Sequence, residues 1–457
     1  MRFMGLDIGT TSVCGVLIDT ENPANTRAVT DKNAGFIQTG NAFEKRQDPA
    51  AILHTVDTII AELSKDARPD AIGLTGQMHG IVYVDKDASA VSPLFTWQDA
   101  RGDLPFRDNK SYAAFLSEQT GCSLASGYGV VTHFYQVQNG LVPPQAVAFC
   151  TIHDLCAMRL TGRKTPLVHI SDAASIGLFD LHKNAFDLEA AARIGLDKSF
   201  FPAVSAEETL IGATPDGVPV SVAVGDNQAS VLGSVKDLEK SVLVNVGTGS
   251  QVSCVVDKPV KADGIECRPL VGGKYLLVGS SLCGGRAYAV AERFLRDVVT
   301  KIAGAAVENV YSAMDELMKD YEGTASPLAV ETTFDGTRTD PAKRGTISGI
   351  GVDNFTTEAF LDGVMNGMVE ELYAFFGKMK PFLPSTPAVL VGSGNGIRQN
   401  KPLAKRFEKA FGCPVRIPVR KEEAAYGAAL FASVAAGFYR NIEEAQQMIE
   451  YEGEMTP

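Results

Sequence analysis

Two short turns of glycine and hydroxyl residues, each set between two apolar runs, constrain the fold of this 457-residue chain more than any other feature. The first is Asp7-Ile8-Gly9-Thr10-Thr11-Ser12, between the runs 3–8 and 13–19. The second is Gly247-Thr248-Gly249-Ser250, between 241–246 and 251–256. Apolar runs joined in this way read as β-hairpins. Such turns also gather N–H and O–H groups toward one point, as a bound phosphate requires. Either turn alone could be an ordinary tight hairpin. As a pair, one opening each half of the chain, they point to duplicated domains that hold a polyphosphate from both sides. Neither is a Walker loop, since no Gly-Lys-Ser/Thr follows, and neither is a dinucleotide fingerprint.

The length fits two domains rather than one core. The expected boundary lies near residue 235, giving domains 1–235 and 236–457. Asp48-Pro49 opens a helix with apolar residues at 52, 56, 59, 60 and 63. The runs 71–75 and 81–84 read as strands, and 220–224 is a strand that ends in Gly225-Asp226-Asn227-Gln228. The run 388–391 leads into Gly392-Ser393-Gly394-Asn395-Gly396, and 422–439 reads as an Ala-rich helix packed closely around Gly427.

Several function classes are excluded by simple counts. A net charge of −12 argues against a nucleic-acid surface, which needs a basic patch. No apolar run approaches the roughly 18 residues of a membrane span, and the first residues read as a strand rather than a leader. Eight scattered cysteines suit free thiols in a reducing cytoplasm. Cys150, His153, Asp154 and Cys156 are too crowded to surround a zinc ion tetrahedrally, so a strand end running into a helix is expected there.

The chemistry-bearing residues fall into three groups. Asp7, at a strand end, can hold a hydrated Mg²⁺ while Thr10 and Thr11 donate to phosphate oxygens. Asp226, flanked by Gly225, suits a base that takes the proton of a sugar hydroxyl, although an Asp there would also cap a helix. Gln77, Met78 and His79 lie between glycines, and Trp97-Gln98-Asp99-Ala100-Arg101 contains the only tryptophan. An indole beside Asp and Arg can stack on sugar C–H groups and bond hydroxyls. The bland alternative makes Trp97 a core residue and Asp99–Arg101 a surface pair.

Together these segments resemble the FGGY carbohydrate kinases. The matching stretches are Asp7–Ser12, Gly76–Gly80, Trp97–Arg101, Gly225–Ser230, Gly247–Ser250, Gly392–Asn395 and Glu423–Ala429. They follow the family's order and span nearly the whole chain. The resemblance implies an α/β fold of two actin-like, ribonuclease H-like domains around a central cleft, using ATP and Mg²⁺ on a small-molecule sugar. It implies no nucleic-acid or membrane partner, and a monomer or homodimer. By motif, Asp226 would be the base and would hold the metal with Asp7 through water. Thr10, Thr11, Gly247 and Thr248 would meet phosphates. Gln77, Met78, His79, Trp97, Asp99 and Arg101 would line the sugar pocket, with Gly284, Gly285, Gly394 and Asn395 bordering the adenosine. Within the family the likeness is greatest to sedoheptulokinases, through Gly127-Tyr128-Gly129, Thr151-Ile152-His153-Asp154 and Asp172-Ala173-Ala174-Ser175 among others. D-xylulose is the alternative substrate. Gly-Ser-Gly-Asn departs from the Gly-Gly-Gly/Ala of many relatives. An actin- or Hsp70-like nucleotide-dependent protein without sugar chemistry is the rival class, disfavoured by the polar clusters at 77–79 and 97–101.

Overall fold

The computed structural model describes residues 1–337, 340 and 342–453, which divide into two compact units. In the first unit, β1 (Arg2–Ile8) pairs antiparallel with β2 (Ser12–Asp19), and β2 with β3 (Arg27–Lys32). On its other side β1 pairs parallel with β4 (Ala71–Gly76). Beyond β4 come β5 (Leu210–Ala213) and β6 (Pro219–Ser221), giving the order β5-β6-β4-β1-β2-β3, and the short β7 (Val224–Gly225) also pairs with β4. The run Phe3-Met4-Gly5-Leu6-Asp7-Ile8 is apolar on both faces because β1 is central, and Phe3, Met4, Leu6 and Ile8 are fully buried.

Helix α1 (Pro49–Ser64) starts where Asp48 accepts a hydrogen bond from the Ala50 N–H, with Pro49 at the first helical position. Its Ile52, Val56, Ile59 and Leu63 share one face and join Met4, Leu6 and Leu17 in one core. Burying each contributes about 1.5–3 kcal/mol. Three more helices carry polar residues used below: α2 (Ile152–Thr161), α3 (Ile170–Ile176) and α4 (Asp226–Ser234).

The second unit repeats the plan. Strand β8 (Ser241–Val246) pairs antiparallel with β9 (Ser250–Val256), and β9 with β10 (Tyr275–Ser281). On its other side β8 pairs parallel with β11 (Val389–Ser393), which pairs parallel with β12 (Val415–Arg416). The order β10-β9-β8-β11-β12 therefore matches β3-β2-β1-β4-β6: three antiparallel strands, then parallel ones. Helix α5 (Gly285–Ile302) follows β10, α6 (Thr357–Met379) precedes β11, and α7 (Asn395–Gln399) follows β11.

A single boundary near residue 235 does not describe this division. The first unit takes Met1–Lys236 together with Arg268–Lys274 and Glu422–Ile449. The returning segment holds α8 (Glu423–Ala435), whose small residues lie flat on the first sheet. A methyl group added at Gly5 would strike the Ala425 carbonyl, and one at Gly427 would strike the Ala229 carbonyl of α4. Close backbone approach is the reason for the glycines and alanines there. The run expected as a strand at 81–84 forms at Val82–Val84, but pairs with Ala148–Cys150 outside the main sheet. Among the described residues no helix is long and apolar enough to cross a membrane.

Candidate active site

In the first unit the expected residues converge at the carboxyl ends of β1, β4 and β7. The turn after β1 is stitched to the segment after β4 by a closed polar ring. Thr10 Oγ1 donates to Gln77 Oε1 (3.3 Å), Gln77 Nε2 to Gln47 Oε1 (2.8 Å), and Gln47 Nε2 back to the Thr10 carbonyl (2.8 Å). Gln47 and Gln77 are buried, so losing one link strands a polar group at a cost of about 1–3 kcal/mol. Gln47 carries no sequence motif, and a lone glutamine before a helix cap gives no signal. Thr11 is exposed, with its carbonyl accepting from the Asn33 N–H.

Trp97 is 47% exposed and its indole N–H donates to Thr10 Oγ1 at 2.9 Å. Asp99 and Arg101, in contrast, are fully buried. Arg101 grips the Asp99 carboxylate with Nε (2.6 Å) and one terminal nitrogen (3.0 Å), and its other terminal nitrogen donates to Gln136 Oε1 (3.0 Å). The guanidinium lies over the Phe95 ring at 4.4 Å. Asp99 also accepts from the Lys45 N–H. The indole is thus the exposed group and the ion pair the buried one, the reverse of the bland alternative. The structure corrects the sugar-lining expectation for Asp99 and Arg101: they lie behind the wall and hold it, because every charge on the pair is met by protein.

His79 adopts a left-handed backbone, with φ of 70°, which a non-glycine residue keeps only when its surroundings hold it. Its N–H donates to Ser175 Oγ (3.1 Å), and its Nδ1 lies 2.7 Å from the Ser175 carbonyl. A carbonyl only accepts, so Nδ1 bears the hydrogen. The ring stacks on Tyr128 with centroids 4.5 Å apart. Buried Met78 sits with its thioether against Gly225, where a Cβ would meet its Sδ at 2.9 Å.

Asp226 begins α4 directly after Gly225, which caps the helix without a side-chain bond. The Gly225 N–H donates to Ser171 Oγ at 2.9 Å. Burial pushes the Asp226 carboxyl up to about 6, opposed by the positive charges of His153 and Arg268 and by the Asn227 N–H, and reinforced by Asp172. Burial, then the charge of Asp226, pushes Asp7 up to about 7 against His153. One oxygen of Asp7 is buried with no protein partner. Nearby, fully buried His153 and Asp172 place Nε2 and Oδ1 3.0 Å apart. Burial works against the imidazolium, but Asp172, Asp154 and Asp226 outweigh it and raise His153 to about 9. In the sequence, His153 stands in a crowded Cys/His/Asp run and in a sedoheptulokinase-like stretch, and neither assigns it a charge role. Its role as a buried counter-charge depends on Asp172, which arrives from another helix.

In the second unit Gly247, Thr248, Gly284, Gly285, Gly394 and Asn395 also converge. The Gly247 carbonyl accepts from the Gly285 N–H (2.8 Å) and the Thr248 carbonyl from the Arg286 N–H (3.2 Å), so the β8–β9 turn is bound to the start of α5. Gly394 has φ of 80° and packs on Val246 so closely that a Cβ would lie 2.6 Å from the Val246 carbonyl oxygen. Asn245 Nδ2 donates to Ser393 Oγ (2.8 Å), tying the same two strand ends. Thr248 and Asn395 are exposed. Two helix starts and a glycine turn facing one place form a site suited to an anion.

The model of the FGGY family of carbohydrate kinases, N-terminal domain, matches residues 2–233. A mouse sedoheptulokinase is 27% identical, the alignment covering 93% of this chain and 96% of that protein. A xylulose kinase from Streptomyces coelicolor is 26% identical, over 94% of this chain and 87% of its own. The crystal structure of a gluconate kinase from Lactobacillus acidophilus superposes with a TM-score of 0.85 at 20% identity, covering 99% of this chain and 92% of that one. The shared fold is the actin-like, ribonuclease H-like one in two units. With the glycine–threonine turns, the polar ring and the Asp226 turn all inside the matched and superposed regions, the chain belongs to the FGGY family of carbohydrate kinases.

Proposed function

We propose that this protein transfers the γ-phosphoryl group of ATP to a primary hydroxyl of a ketose, converting sedoheptulose to sedoheptulose 7-phosphate. The observation that carries the reading is Asp226 at the start of α4, raised to about 6 and therefore ionised at neutral pH, in the same unit as the Trp97–Thr10–Gln77 chain. The ketose oxygen attacks the γ-phosphorus while the bond from that phosphorus to the β,γ-bridging oxygen breaks and ADP leaves. Asp226 takes the hydroxyl proton and aligns the oxygen. Trp97 offers its exposed face to the C–H side of the sugar and half-buried His79 meets the sugar's polar edge, with Gln77 holding Thr10 and the wall from behind. Thr10, Thr11, Gly247 and Thr248 would meet phosphates, with Gly284, Gly285, Gly394 and Asn395 beside the adenosine.

The unpartnered buried oxygen of Asp7, beside the charge of Asp226, fits a hydrated divalent cation. Mg²⁺ bound there would offset phosphate charge. Eight free thiols suit a cytoplasmic protein, where ATP is at hand.

Sedoheptulose is favoured by mouse and human sedoheptulokinases at 27% and 25% identity across 93% of the chain. D-xylulose is the second reading, on the Streptomyces coelicolor relative. The test is a coupled ADP-release assay with Mg-ATP and sedoheptulose, D-xylulose, L-ribulose, D-ribulose and glycerol in parallel. Preference for sedoheptulose supports the proposal, and preference for another acceptor replaces the substrate. Sugar-independent ATP hydrolysis alone would overturn the kinase reading.

A further inference from the structure

Helix α3 is only Ile170–Ile176, with His169 at its N-cap, yet its side chains reach two separate parts of the site. Ser171 and Ser175, both buried, each use their hydroxyl in two directions. Ser171 Oγ accepts from the Gly225 N–H (2.9 Å) and lies 2.8 Å from His169 Nδ1. That nitrogen also accepts from the Ser171 N–H, so it bears no hydrogen and the Ser171 hydroxyl donates to it. Ser175 Oγ donates to the Asp172 carbonyl (2.8 Å) and accepts from the His79 N–H (3.1 Å). In each case an internal bond of the helix fixes the hydroxyl hydrogen, leaving an oxygen lone pair aimed at one backbone N–H outside. Those two N–H groups belong to the residue before Asp226 and to the left-handed His79.

We propose that α3 is the positioning element of this active site, Ser171 setting Asp226 through the backbone of Gly225 and Ser175 setting His79 against the sugar. The proposal rests on the reading of Asp226 as the base and His79 as a sugar contact. Neither serine touches the reacting atoms. The two links serve different steps, so they separate kinetically. Ser171 governs the alignment of a base that acts during transfer, whereas Ser175 governs a group that acts when the sugar binds.

The experiment compares Ser171→Ala, Ser171→Thr, Ser175→Ala and Ser175→Thr with the unmodified protein. It measures kcat and ketose KM under saturating Mg-ATP. Sedoheptulose affinity without ATP is read from the fluorescence of Trp97, the only tryptophan. Ser171→Ala should lower kcat about tenfold with KM within about twofold, and Ser175→Ala should raise KM and the fluorescence Kd about tenfold with kcat nearly unchanged. The threonine variants keep the acceptor oxygen and should recover most of each loss. A general loss of folding would move both parameters in both variants, which overturns the proposal, as does alanine behaving like the unmodified protein. Should Ser171→Ala fail to fold, Ser171→Cys carries the same test, an unchanged kcat overturning it. Absence of ketose-dependent ADP release in the unmodified protein would sink the kinase reading alone. In that case an unchanged fluorescence Kd in Ser175→Ala, or no sugar binding at all, would overturn the role of α3.

Discussion

The indole N–H of Trp97 donates to Thr10 Oγ1 across 2.9 Å, although the two residues are 87 positions apart in sequence. The same hydroxyl donates onward to Gln77 Oε1. An exposed aromatic face and a phosphate-type turn are thereby fixed to each other. Replacing Trp97 by Phe keeps a ring and removes the bond. Ketose KM should rise about tenfold, the roughly 1.4 kcal/mol of one neutral hydrogen bond, with the KM for ATP changing less. Trp97→Ala should cost more than Trp97→Phe. Steady-state kinetics with each substrate varied in turn decide it, and equal values for Phe and Trp would remove the bond from sugar binding.

Asp226→Asn keeps the shape of the side chain and removes the base. Transfer should fall by several orders of magnitude while ketose binding, followed by Trp97 fluorescence, stays within a few-fold. Retention of more than about a tenth of kcat, a barrier change under 1.4 kcal/mol, would rule Asp226 out as the base.

His153 and Asp172 form a buried pair with Nε2 and Oδ1 3.0 Å apart and neither side chain exposed. Removing one partner leaves the other without its counter-charge, at about 3–5 kcal/mol. His153→Gln and Asp172→Asn should each destabilise the first unit by amounts of this size. The double variant should cost at least 1 kcal/mol less than their sum. Urea unfolding read by Trp97, which lies in the same unit, supplies all four corners of the cycle. Strict additivity would show that the two do not interact.

Buried His133, 2.7 Å from the Tyr83 hydroxyl, gives a pH prediction away from the catalytic groups. Burial pushes it from its ordinary 6.5 down to about 4, with Asp197 opposing weakly. The unfolded chain therefore takes up a proton near pH 6.5 that the folded one refuses until about 4. Its stability is intact above 6.5 and drains as the pH falls toward 4. Between pH 7.5 and 5 this amounts to about 2 kcal/mol. His133→Gln, which cannot titrate, should gain that much on the unmodified protein over the same interval. Urea midpoints at the two pH values measure it, and parallel pH dependences would refute the assignment.

Much of the fold was readable because its signals are local. The runs 3–8 and 13–19 with a glycine–threonine turn can hardly form anything but a hairpin, and the same holds for 241–246 and 251–256. Asp48-Pro49 announces α1 because a cap bond and a proline at the first position act within one turn. Asp7, Thr10, Gln77, His79 and Asp226 could be named in advance because each stands within two residues of a glycine in or at the end of a strand-turn motif. Gln47 and Ser171 could not, and Ser175 stood only inside a family-like stretch that gave it no role. Each is one ordinary polar residue whose importance lies wholly in a partner 30 or more positions away.

Local pattern in the chain specifies the duplicated strand–turn–strand plan and the chemical character of the site residues, through periodicity and short-range motifs, and the order of those motifs carries the resemblance to the family. Tertiary structure alone decided three things. It returned α8 to the first unit, because only there do its glycines and alanines let the backbones of α8, β1 and α4 meet. It buried Asp99 with Arg101 and exposed Trp97, because a charge pair fully bonded to protein can leave water while an indole with one anchored N–H can face it. It also raised the carboxyls of Asp7 and Asp226 by desolvating them close to other carboxylates, against the opposing charge of His153. Desolvation and charge–charge distance belong to three-dimensional packing, and no local pattern in a chain encodes them.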